Sequence, residues 1–397
     1  MAAAKWKPAK LDELGFVGRG KSRHRPRNAA FLYGGRYPFF QTGDIKAANL
    51  HLTEYSQTYS EEGLAQSKLW KPGTLCITIA ANIAESAILG IEGCFPDSVV
   101  GFVADPDKAD VRFVKYYMEI LKLQMQSVSR GTTQDNLSLD KLLTFDFLVP
   151  PLPVQRRIAG ILSAYGELME NSQRRIRLLE AMARALYREW CVYFRFPGHE
   201  KLPRVASPFG DIPQGWEVKT LGQIAENFDR LRKPLSKMQR AEIQGEYPYY
   251  GAAKVFDYIN DFIFEGEYLL MAEDGSVITT ERAPVLQLAN EKFWPNNHTH
   301  VLRGKPPFST HFLYLGLSEV DISPYITGAA QPKITQENMN RIPFFCGPEK
   351  LHQEFNRLVA PMIRKSQLLQ RQIQNLRRTR DLLLPRLLLG QVELNTN

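Results

Sequence analysis

A short basic segment near the N-terminus holds the residue types that could most directly do chemistry. Cationic side chains alternate there with small or polar ones, in the order Lys21, Ser22, Arg23, His24, Arg25, Pro26, Arg27 and Asn28. Guanidinium and ammonium groups spaced in this way bind phosphates, and an arginine can also donate two hydrogen bonds to guanine. A second basic group lies at a similar depth in the second half of the chain: Arg230, Arg232, Lys233, Lys237 and Arg240. One charge run is usually a solvated surface, whereas two at matching positions favour DNA as a partner.

Amide and hydroxyl side chains near glycine form, with two neighbouring cations, the other set that could contact DNA. In the first half of the chain these are Gln41, Thr42, Asn82, Arg130, Thr132, Thr133 and Gln134. In the second half they are Asn296, Asn297, Gln331 and Lys333. Asparagine and glutamine can form two hydrogen bonds to adenine, and glycine lets the backbone approach a groove closely. Ordinary turn chemistry accounts for the same residues, and the sequence leaves both interpretations open.

The sequence indicates no catalytic group of its own. Residues 16–20, Phe-Val-Gly-Arg-Gly, fit the start of an S-adenosylmethionine-binding loop, but a basic segment broken by Pro26 follows where a helix should begin. The tetrapeptide of amino-methylating enzymes, Asn-Pro-Pro-aromatic or Asp-Pro-Pro-aromatic, does not occur. Four acidic residues lie close together but lack a nuclease arrangement: Asp97, Asp105, Asp107 and Asp110. We therefore predict no catalytic residue, no metal site and no cofactor.

Composition narrows the class of protein. The chain of 397 residues is 44% hydrophobic and 11% aromatic, as in a globular protein, and its net charge of +8 favours a polyanionic partner. No apolar run approaches the ~20 residues of a membrane span, and the first residues lack a secretory signal. Cysteines stand apart from one another, without metal-ligand spacing: Cys76, Cys94, Cys191 and Cys346. We expect a cytoplasmic protein with reduced thiols and no membrane partner.

An internal repeat must position the two basic groups. Trp6, Leu11, Leu14 and Tyr37-Pro38 recur 210 positions later as Trp216, Leu221, Ile224 and Tyr247-Pro248. A second set recurs at a shorter offset: Gly131 to Gln134 as Gly328 to Gln331, and Pro150 with Gln155 as Pro348 with Gln353. The difference in offset makes the first mixed domain 12 residues longer. Duplication provides two similar surfaces, the arrangement needed to recognise two half-sites.

A long helical pattern follows each mixed domain. In the first, apolar residues step by three and four from Ile158 to Trp190, which predicts a coiled-coil helix of roughly 50 Å. In the second, the pattern runs from Leu351 to Leu387 through Leu358, with a stutter or kink expected near Pro361 and with Arg380 in the apolar stripe. We expect the two helices to pair antiparallel within the chain. A dimerisation coil is the alternative.

Taken together, the segments resemble the specificity subunits of type I restriction–modification enzymes over nearly the whole chain. The segments that carry the resemblance are residues 18–28, 37–44, 150–158, 212–216, 296–300 and 328–334. The resemblance implies an α/β (α+β) fold: two target recognition domains joined by two long helices that form an antiparallel coiled coil, with an internal pseudo-twofold repeat. The expected domains are 1–152 and 197–349 for target recognition, with spacer helices at 153–196 and 350–397.

The resemblance also implies a non-catalytic function. Each recognition domain would read one half of a split sequence in double-stranded DNA. The helices would set the gap between the halves and dock two copies of a methyltransferase subunit, and a restriction and translocase subunit could then join. Half-sites read from one face of DNA lie about 34 Å apart. A stand-alone DNA-binding regulator and, less favoured, a divergent methyltransferase or nuclease are the alternatives.

Overall fold

A computed structural model describes residues 6–130, 137–328 and 331–392, and gives no side-chain description for Ser129 and Arg130. The chain divides into two compact units. The first unit contains residues 1–174 and 369–397, and the second contains residues 175–368. Both mix helices and strands, which agrees with the predicted fold class. None of the helices in the described part of the chain combines the length and apolar composition that a membrane span requires.

The first unit contains short strands and helices around one main sheet. Its strands are β1 (Lys7–Ala9), β2 (Gly15–Arg19), β3 (Tyr33–Phe39), β4 (His51–Leu52), β5 (Gln57–Tyr59), β6 (Leu75–Thr78), β7 (Ser86–Leu89), β8 (Val99–Ala104) and β9 (Phe147–Val149). Its helices are α1 (Thr42–Ala47), α2 (Glu61–Ala65), α3 (Val111–Arg130) and α4 (Leu139–Leu142), followed by the start of α5 (Leu152–Tyr187). The main sheet has the order β2-β8-β6-β7-β4, β3 pairs with β5, and β1 pairs with β9.

The second unit repeats this arrangement. Its strands are β10 (Arg204–Val205), β11 (Ile212–Pro213), β12 (Glu217–Thr220), β13 (Ala225–Asn227), β14 (Gln244–Tyr250), β15 (Val255–Ile259), β16 (Glu267–Ala272), β17 (Leu286–Asn290), β18 (Trp294–Pro295), β19 (Thr299–Gly304) and β20 (Pro343–Cys346). Its helices are α6 (Leu221–Ile224), α7 (Lys237–Glu242), α8 (Thr310–Leu317) and α9 (Gln336–Asn340), followed by the start of α10 (Glu349–Leu388). The main sheet, β13-β19-β16-β17, matches β2-β8-β6-β7.

The pairing register of the strands matches in the two main sheets, as their strand order does. In the first unit Val17 lies opposite Phe102, and Thr78 opposite Val99. In the second unit Asn227 lies opposite Leu302, and Ala272 opposite Thr299. The strand that enters each domain pairs antiparallel with the strand that leads into the long helix, β1 with β9 and β12 with β20. The repeat seen in the sequence is therefore a repeat of hydrogen-bonded framework.

The start of each long helix corrects one detail of the sequence repeat. The backbone N–H of Gln155 donates to the carbonyl of Pro151, and that of His352 donates to the carbonyl of Pro348. His352, rather than Gln353, therefore corresponds to Gln155. The offset at the helix start is one residue shorter than the sequence comparison gave, because Pro150 and Pro151 are both candidates for the same match and only the hydrogen bonds distinguish them.

Within each unit the two long helices run antiparallel. In the first unit the start of α5 and the end of α10 share one apolar core, which contains Ile158, Leu162, Leu384, Leu387 and Leu388. In the second unit Tyr187 at the end of α5, and Trp190 in the π-helical turn that follows it, contact Phe355 at the start of α10. A hydrogen bond of 2.9 Å from Ser366 to Glu180 joins the same two helices. Pairing within the chain is therefore the arrangement that this structure contains.

The apolar stripe of α10 departs from the predicted one at Leu358. That residue is 37% exposed, whereas its neighbour Val359 is fully buried. The helix is continuous through Pro361. Arg380 lies in the stripe with its side chain 19% exposed, and its guanidinium donates to the carboxylate of Asp381 at 2.7 Å. A charged residue is tolerated there because its hydrogen bonds are met.

Candidate nucleic-acid interface

In the first unit the basic segment is an exposed loop with a fixed backbone. The N–H of Gly20 donates to Val99 and that of Lys21 donates to Phe95, which holds the start of the loop against the sheet. The side-chain oxygen of Gln66 accepts from the backbone of Arg23 and of His24. Gly20 is required at this point, since a Cβ would lie 2.3 Å from the Phe95 carbonyl. The loop therefore presents its side chains from a rigid base.

Side chains alternate along this loop as the sequence predicts. Ser22 is buried, whereas four cations are exposed: Lys21, Arg23, Arg25 and Arg27. Arg25 donates to the carbonyls of Ser22 and His24, and His24 packs edge-on against Phe31. Arg27 donates to both carboxylate oxygens of Asp97 at 2.9 Å. This geometry leaves Lys21 and Arg23 as the cations best placed to bind phosphate.

A cleft of about 540 Å³ lies beside the basic loop. Arg27 and Gln41 both line it, so the structure brings these two predicted residues together. Gln57, which the sequence did not single out, also lines the cleft, and its side-chain oxygen accepts from Gln41 at 2.6 Å. Thr42 begins α1 next to Gln41 and is half-buried. The cleft combines polar amides with the aromatic rings of Tyr33 and Phe39.

Asn82 lies near the same helix. Its side-chain oxygen accepts from Lys46 of α1 at 3.1 Å, within a tight loop in which Ala81 and Ala84 have positive φ. Thr132, Thr133 and Gln134 lie outside the described residues, as does the side chain of Arg130. The chain resumes at Leu137, whose N–H donates to Ile79 at the end of β6.

In the second unit the five predicted basic residues divide into two groups. Arg230, Lys233 and Lys237 are exposed. Arg240 is 17% exposed: it lies over the ring of Tyr249 and pairs with Asp257 at 3.3 Å. Arg232 is 14% exposed and pairs with Glu273 at 2.7 Å. The first group is free to meet a polyanion, whereas the second group stabilises the domain itself.

A network of charges lies beneath the surface of the second unit. Arg232 donates to Glu273 and to the carbonyls of Asn297 and Thr299. Glu273 also accepts from Lys333 at 3.1 Å. Its backbone carbonyl accepts from Ile334, which follows Lys333. Glu273 thus ties the 296–299 turn, through Arg232, to the loop that contains Lys333.

Three predicted residues lie in or beside these two loops. Asn296 is buried, and its side-chain oxygen accepts from the backbone of His298 at 2.9 Å. Asn297 is exposed, as is Gln331, which follows the undescribed residues 329–330. The structure therefore brings Arg232, Lys333 and this set together around Glu273. Asn297, Gln331 and Lys333 are the exposed members of this group.

His300 completes the network from β19. Its ring is buried, with Nδ1 2.6 Å from Asp229 and Nε2 2.9 Å from the carbonyl of Ile334. Burial alone would raise the pKa of Asp229, but hydrogen bonds from His300 and from the backbone of Val301 lower that pKa. Burial likewise opposes ionisation of Glu273, and its hydrogen bond from Arg232 together with the charge of His300 lowers its pKa. Both carboxylates are therefore held ionised.

Asp229, Glu273 and His300 also meet the geometric requirement for a cation site, with ligand atoms within 4.8 Å of one another. Arg232 and Lys333 already supply positive charge to this group. Both ring nitrogens of His300 face oxygen acceptors. The residues therefore fit an internal ion-pair network and do not fit a metal centre.

Comparison with known sequences identifies the two repeats. A profile of the type I restriction modification DNA specificity domain matches the chain twice, over residues 4–181 and 213–375. The chain belongs to this family. Its two specificity domains account for the duplicated sheets, and the protein is a DNA-recognition subunit of the type I restriction–modification class.

Individual relatives agree with this assignment. The type I restriction enzyme MjaIX specificity subunit of Methanocaldococcus jannaschii is 23% identical over 98% of this chain and 93% of its own length. A putative specificity subunit of Haemophilus influenzae is 34% identical, but that match spans only 36% of either protein. The crystal structure of the type I system S subunit of M. genitalium superimposes with a TM-score of 0.66 at 16% identity, covering 98% of this chain and 97% of the other. The last similarity supports the fold alone.

The two specificity domains share the same strand framework but carry different side chains at matching positions. Glu273 and His300 correspond in register to Ile79 and Val100, which are buried apolar residues. The charge network therefore belongs to the second domain. The sequence did not single out Gln57 or the acidic members of this network, and it grouped Asp97 with other acidic residues instead of with Arg27. No sequence signal marks these residues, because each acquires its role from a partner that is distant in the chain.

Proposed function

We propose that this specificity subunit recognises a bipartite sequence in double-stranded DNA, one half with each domain. The observation that carries the proposal is that the same sheet order and register occur twice, with different polar side chains at matching positions. Phosphate contacts give affinity that is independent of sequence, and groups that reach base edges give the choice of sequence. In the first domain Lys21 and Arg23 would bind phosphate, beside the cleft that contains Gln41.

The other residues predicted to contact DNA have different roles in this proposal. Arg230, Lys233 and Lys237 would bind phosphate at the second half-site because they are exposed. Asn297, Gln331 and Lys333 would approach the bases or the backbone from the loops around Glu273. Arg232, Arg240 and Asn296 would hold those loops in place, because each is tied to protein groups.

The long helices would serve as the spacer and as the docking surface for a methyltransferase subunit. In the second unit α5 exposes two apolar side chains one turn apart, Leu178 at 57% and Met182 at 53%. Residues four apart lie on the same helix face, so the two form one patch next to a cleft lined by Arg184 and Arg188. An apolar patch with a polar rim is typical of a protein interface. Two copies of the methyltransferase subunit would dock on the helices, one of them at this patch, and a restriction and translocase subunit would join the assembly.

Catalysis would then belong to the partners. Subunits of this family are generally non-catalytic, and we propose that this one carries neither a cofactor nor a catalytic residue and acts in the cytoplasm. A stand-alone regulator would bind its DNA site equally well without partners. Gel-shift titration of the purified protein, with and without the methyltransferase subunit, separates the two: we expect site-specific affinity to rise greatly with the subunit, and equal affinity would contradict the proposal.

The docking patch has its own test. Leu178→Asp together with Met182→Asp should remove one of the two co-purifying copies of the methyltransferase subunit, because charges would be buried at that interface without partners. Leu123→Asp is the matched control, since Leu123 lies on α3, is 78% exposed and is remote in sequence from the patch. Equal loss of the complex with the control, or none with the patch variant, would exclude this docking surface.

A further inference from the structure

Gln57 and Asp257 occupy the same place in the two specificity domains. In the first domain β5 places Gln57 opposite Phe39 and Thr58 opposite Pro38. In the second, β15 places Asp257 opposite Tyr249, with the next residue along opposite Pro248. Pro38 and Pro248 are matched members of the sequence repeat, so the two registers coincide. Neither residue belongs to the set predicted from the sequence.

Gln57 lines the cleft beside the basic loop, together with Arg27, Asn28 and Gln41. The side-chain amide Nε2 of Gln41 donates to the side-chain oxygen of Gln57 at 2.6 Å. That bond uses the acceptor of Gln57 and leaves its two N–H groups as donors, which have no hydrogen-bond partner among the described residues. Such donors match the acceptors of a base edge, O6 and N7 of guanine or O4 of thymine.

Asp257 presents the opposite chemistry at the same place. Its Oδ1 accepts from the side chain of Gln244 at 3.1 Å and from the backbone of Tyr258 at 2.9 Å. Among the described residues its Oδ2 accepts from Arg240 alone, at 3.3 Å, and can accept one more hydrogen bond. The hydrogen bond from Gln244, followed by that from the Tyr258 backbone, lowers the pKa of Asp257, so the group is an ionised acceptor. Carboxylates in protein–DNA complexes accept from the amino group of cytosine. One framework position therefore carries donors in the first domain and an acceptor in the second.

We propose that this position reads a base in each half-site: Gln57 reads guanine or thymine in the first, and Asp257 reads cytosine in the second. The inference rests on the proposed function. The cleft that Gln57 lines also contains Arg27 of the basic loop, where Lys21 and Arg23 face solvent. Phosphate contacts at a rim with base contacts inside it are the usual division of roles in DNA recognition.

Co-expression of the full chain with its methyltransferase subunit, followed by genome-wide mapping of methylated adenines, tests the inference. Gln57→Glu keeps the side-chain length but exchanges donors for acceptors. It should change the preferred base at one position of one half-site by roughly 5- to 150-fold, the discrimination of one good base contact. Asp257→Asn should change one position in the other half-site. Thr58→Ala is the control, since neighbouring residues on a strand point to opposite faces.

Three outcomes separate this inference from the function on which it rests. If the wild-type chain directs methylation to no bipartite motif, the proposed function fails and the inference with it. If the wild-type motif appears and neither Gln57→Glu nor Asp257→Asn alters it, the inference alone fails. The inference is also overturned if a variant has the wild-type unfolding temperature but supports no methylation. Loss of one base contact should only weaken the base preference at one position of the motif. Gln57→Ala, which removes the donors without adding charge, should relax the same position.

Discussion

Glu170 of α5 holds His51 by two hydrogen bonds. Its carboxylate accepts the backbone N–H of His51 at 2.8 Å and lies 3.2 Å from the ring Nδ1. The backbone N–H of Leu50 donates to the same carboxylate at 2.9 Å. One side chain of the long helix thus fixes the segment that leads into β4. These hydrogen bonds join the first recognition domain to its helix, in addition to the apolar packing between them.

The His51–Glu170 pair predicts a pH dependence of stability. The hydrogen bond to Glu170 raises the pKa of His51 above 6.5, so this stabilisation is complete below 6.5 and is lost as pH rises through the folded-state pKa. Burial opposes ionisation of Glu170, but the hydrogen bonds from His51 lower the pKa of the carboxyl below 4.5, so its contribution is lost as pH falls. The unfolding temperatures of the wild type and of Glu170→Gln should therefore differ most between pH 4.5 and pH 6.5. A difference that does not depend on pH would contradict the account.

Gln155 should anchor the start of α5. Its side chain is 1% exposed, accepts from Asp110 and donates to Lys108 and Pro150. Gln155→Ala leaves buried polar groups without partners and should lower the free energy of unfolding by roughly 1–3 kcal/mol. Gln353→Ala is the control: it is the match that the sequence repeat suggests, but it is exposed, and its removal should change stability by about 0.5 kcal/mol or less. Denaturant titration measures both, and equal losses would contradict the structural alignment.

Glu273 should be needed for the second domain to hold its loops. Glu273→Ala leaves Arg232 with the more distant carboxylate of Asp229, at 3.6 Å, as its charge partner. The loss of the charged hydrogen bond should cost about 1.5–3 kcal/mol in the free energy of unfolding. Glu226→Ala is the matched control, because Glu226 pairs with Arg303 at the exposed edge of the same sheet. An exposed pair contributes at most about 1 kcal/mol. Similar losses for both variants in denaturant titration would show that the network does not stabilise the domain.

Salt dependence should separate the free cations from the paired ones. Lys21→Ala and Arg23→Ala should each weaken DNA binding for all sequences and reduce the slope of log K against log salt by about 1. Lys237→Ala should do the same for the second domain. Arg232→Ala should leave the slope unchanged, because its charge is paired with Glu273 inside the protein. Fluorescence anisotropy over a series of salt concentrations gives these slopes, and a reduced slope for Arg232→Ala would place that residue on the DNA.

The long helices and the duplicated strands were predictable from the sequence, because the patterns that indicate them are local or occur twice. The residues of the apolar stripe from Ile158 to Trp190 are all buried or half-buried, in α5 and in the π-helical turn that follows it. The duplicated Tyr-Pro pairs lie at matching registers of β3 and β14. Such patterns depend on helix and strand periodicity, which the sequence carries directly.

The candidate site was predictable only in part, because exposure depends on partners that are distant in the chain. Lys21 and Arg232 look alike as members of basic runs, yet Arg232 meets Glu273 41 residues away. Arg27 meets Asp97 70 residues away. Gln57 gave no signal at all, since one glutamine on a short strand is unremarkable until Gln41 is placed beside it. Tertiary contacts, and not residue type, decide which polar groups remain available.

We propose that each domain reads one half of a split DNA site. The most direct measurement is the methylation motif of a chimera in which residues 15–150 are replaced by those of a relative, co-expressed with the methyltransferase subunit. We predict one bipartite motif for each protein, with one half changed in the chimera and the other half unchanged. A chimera in which both halves change, or a wild-type motif that is a single uninterrupted sequence, would contradict the account.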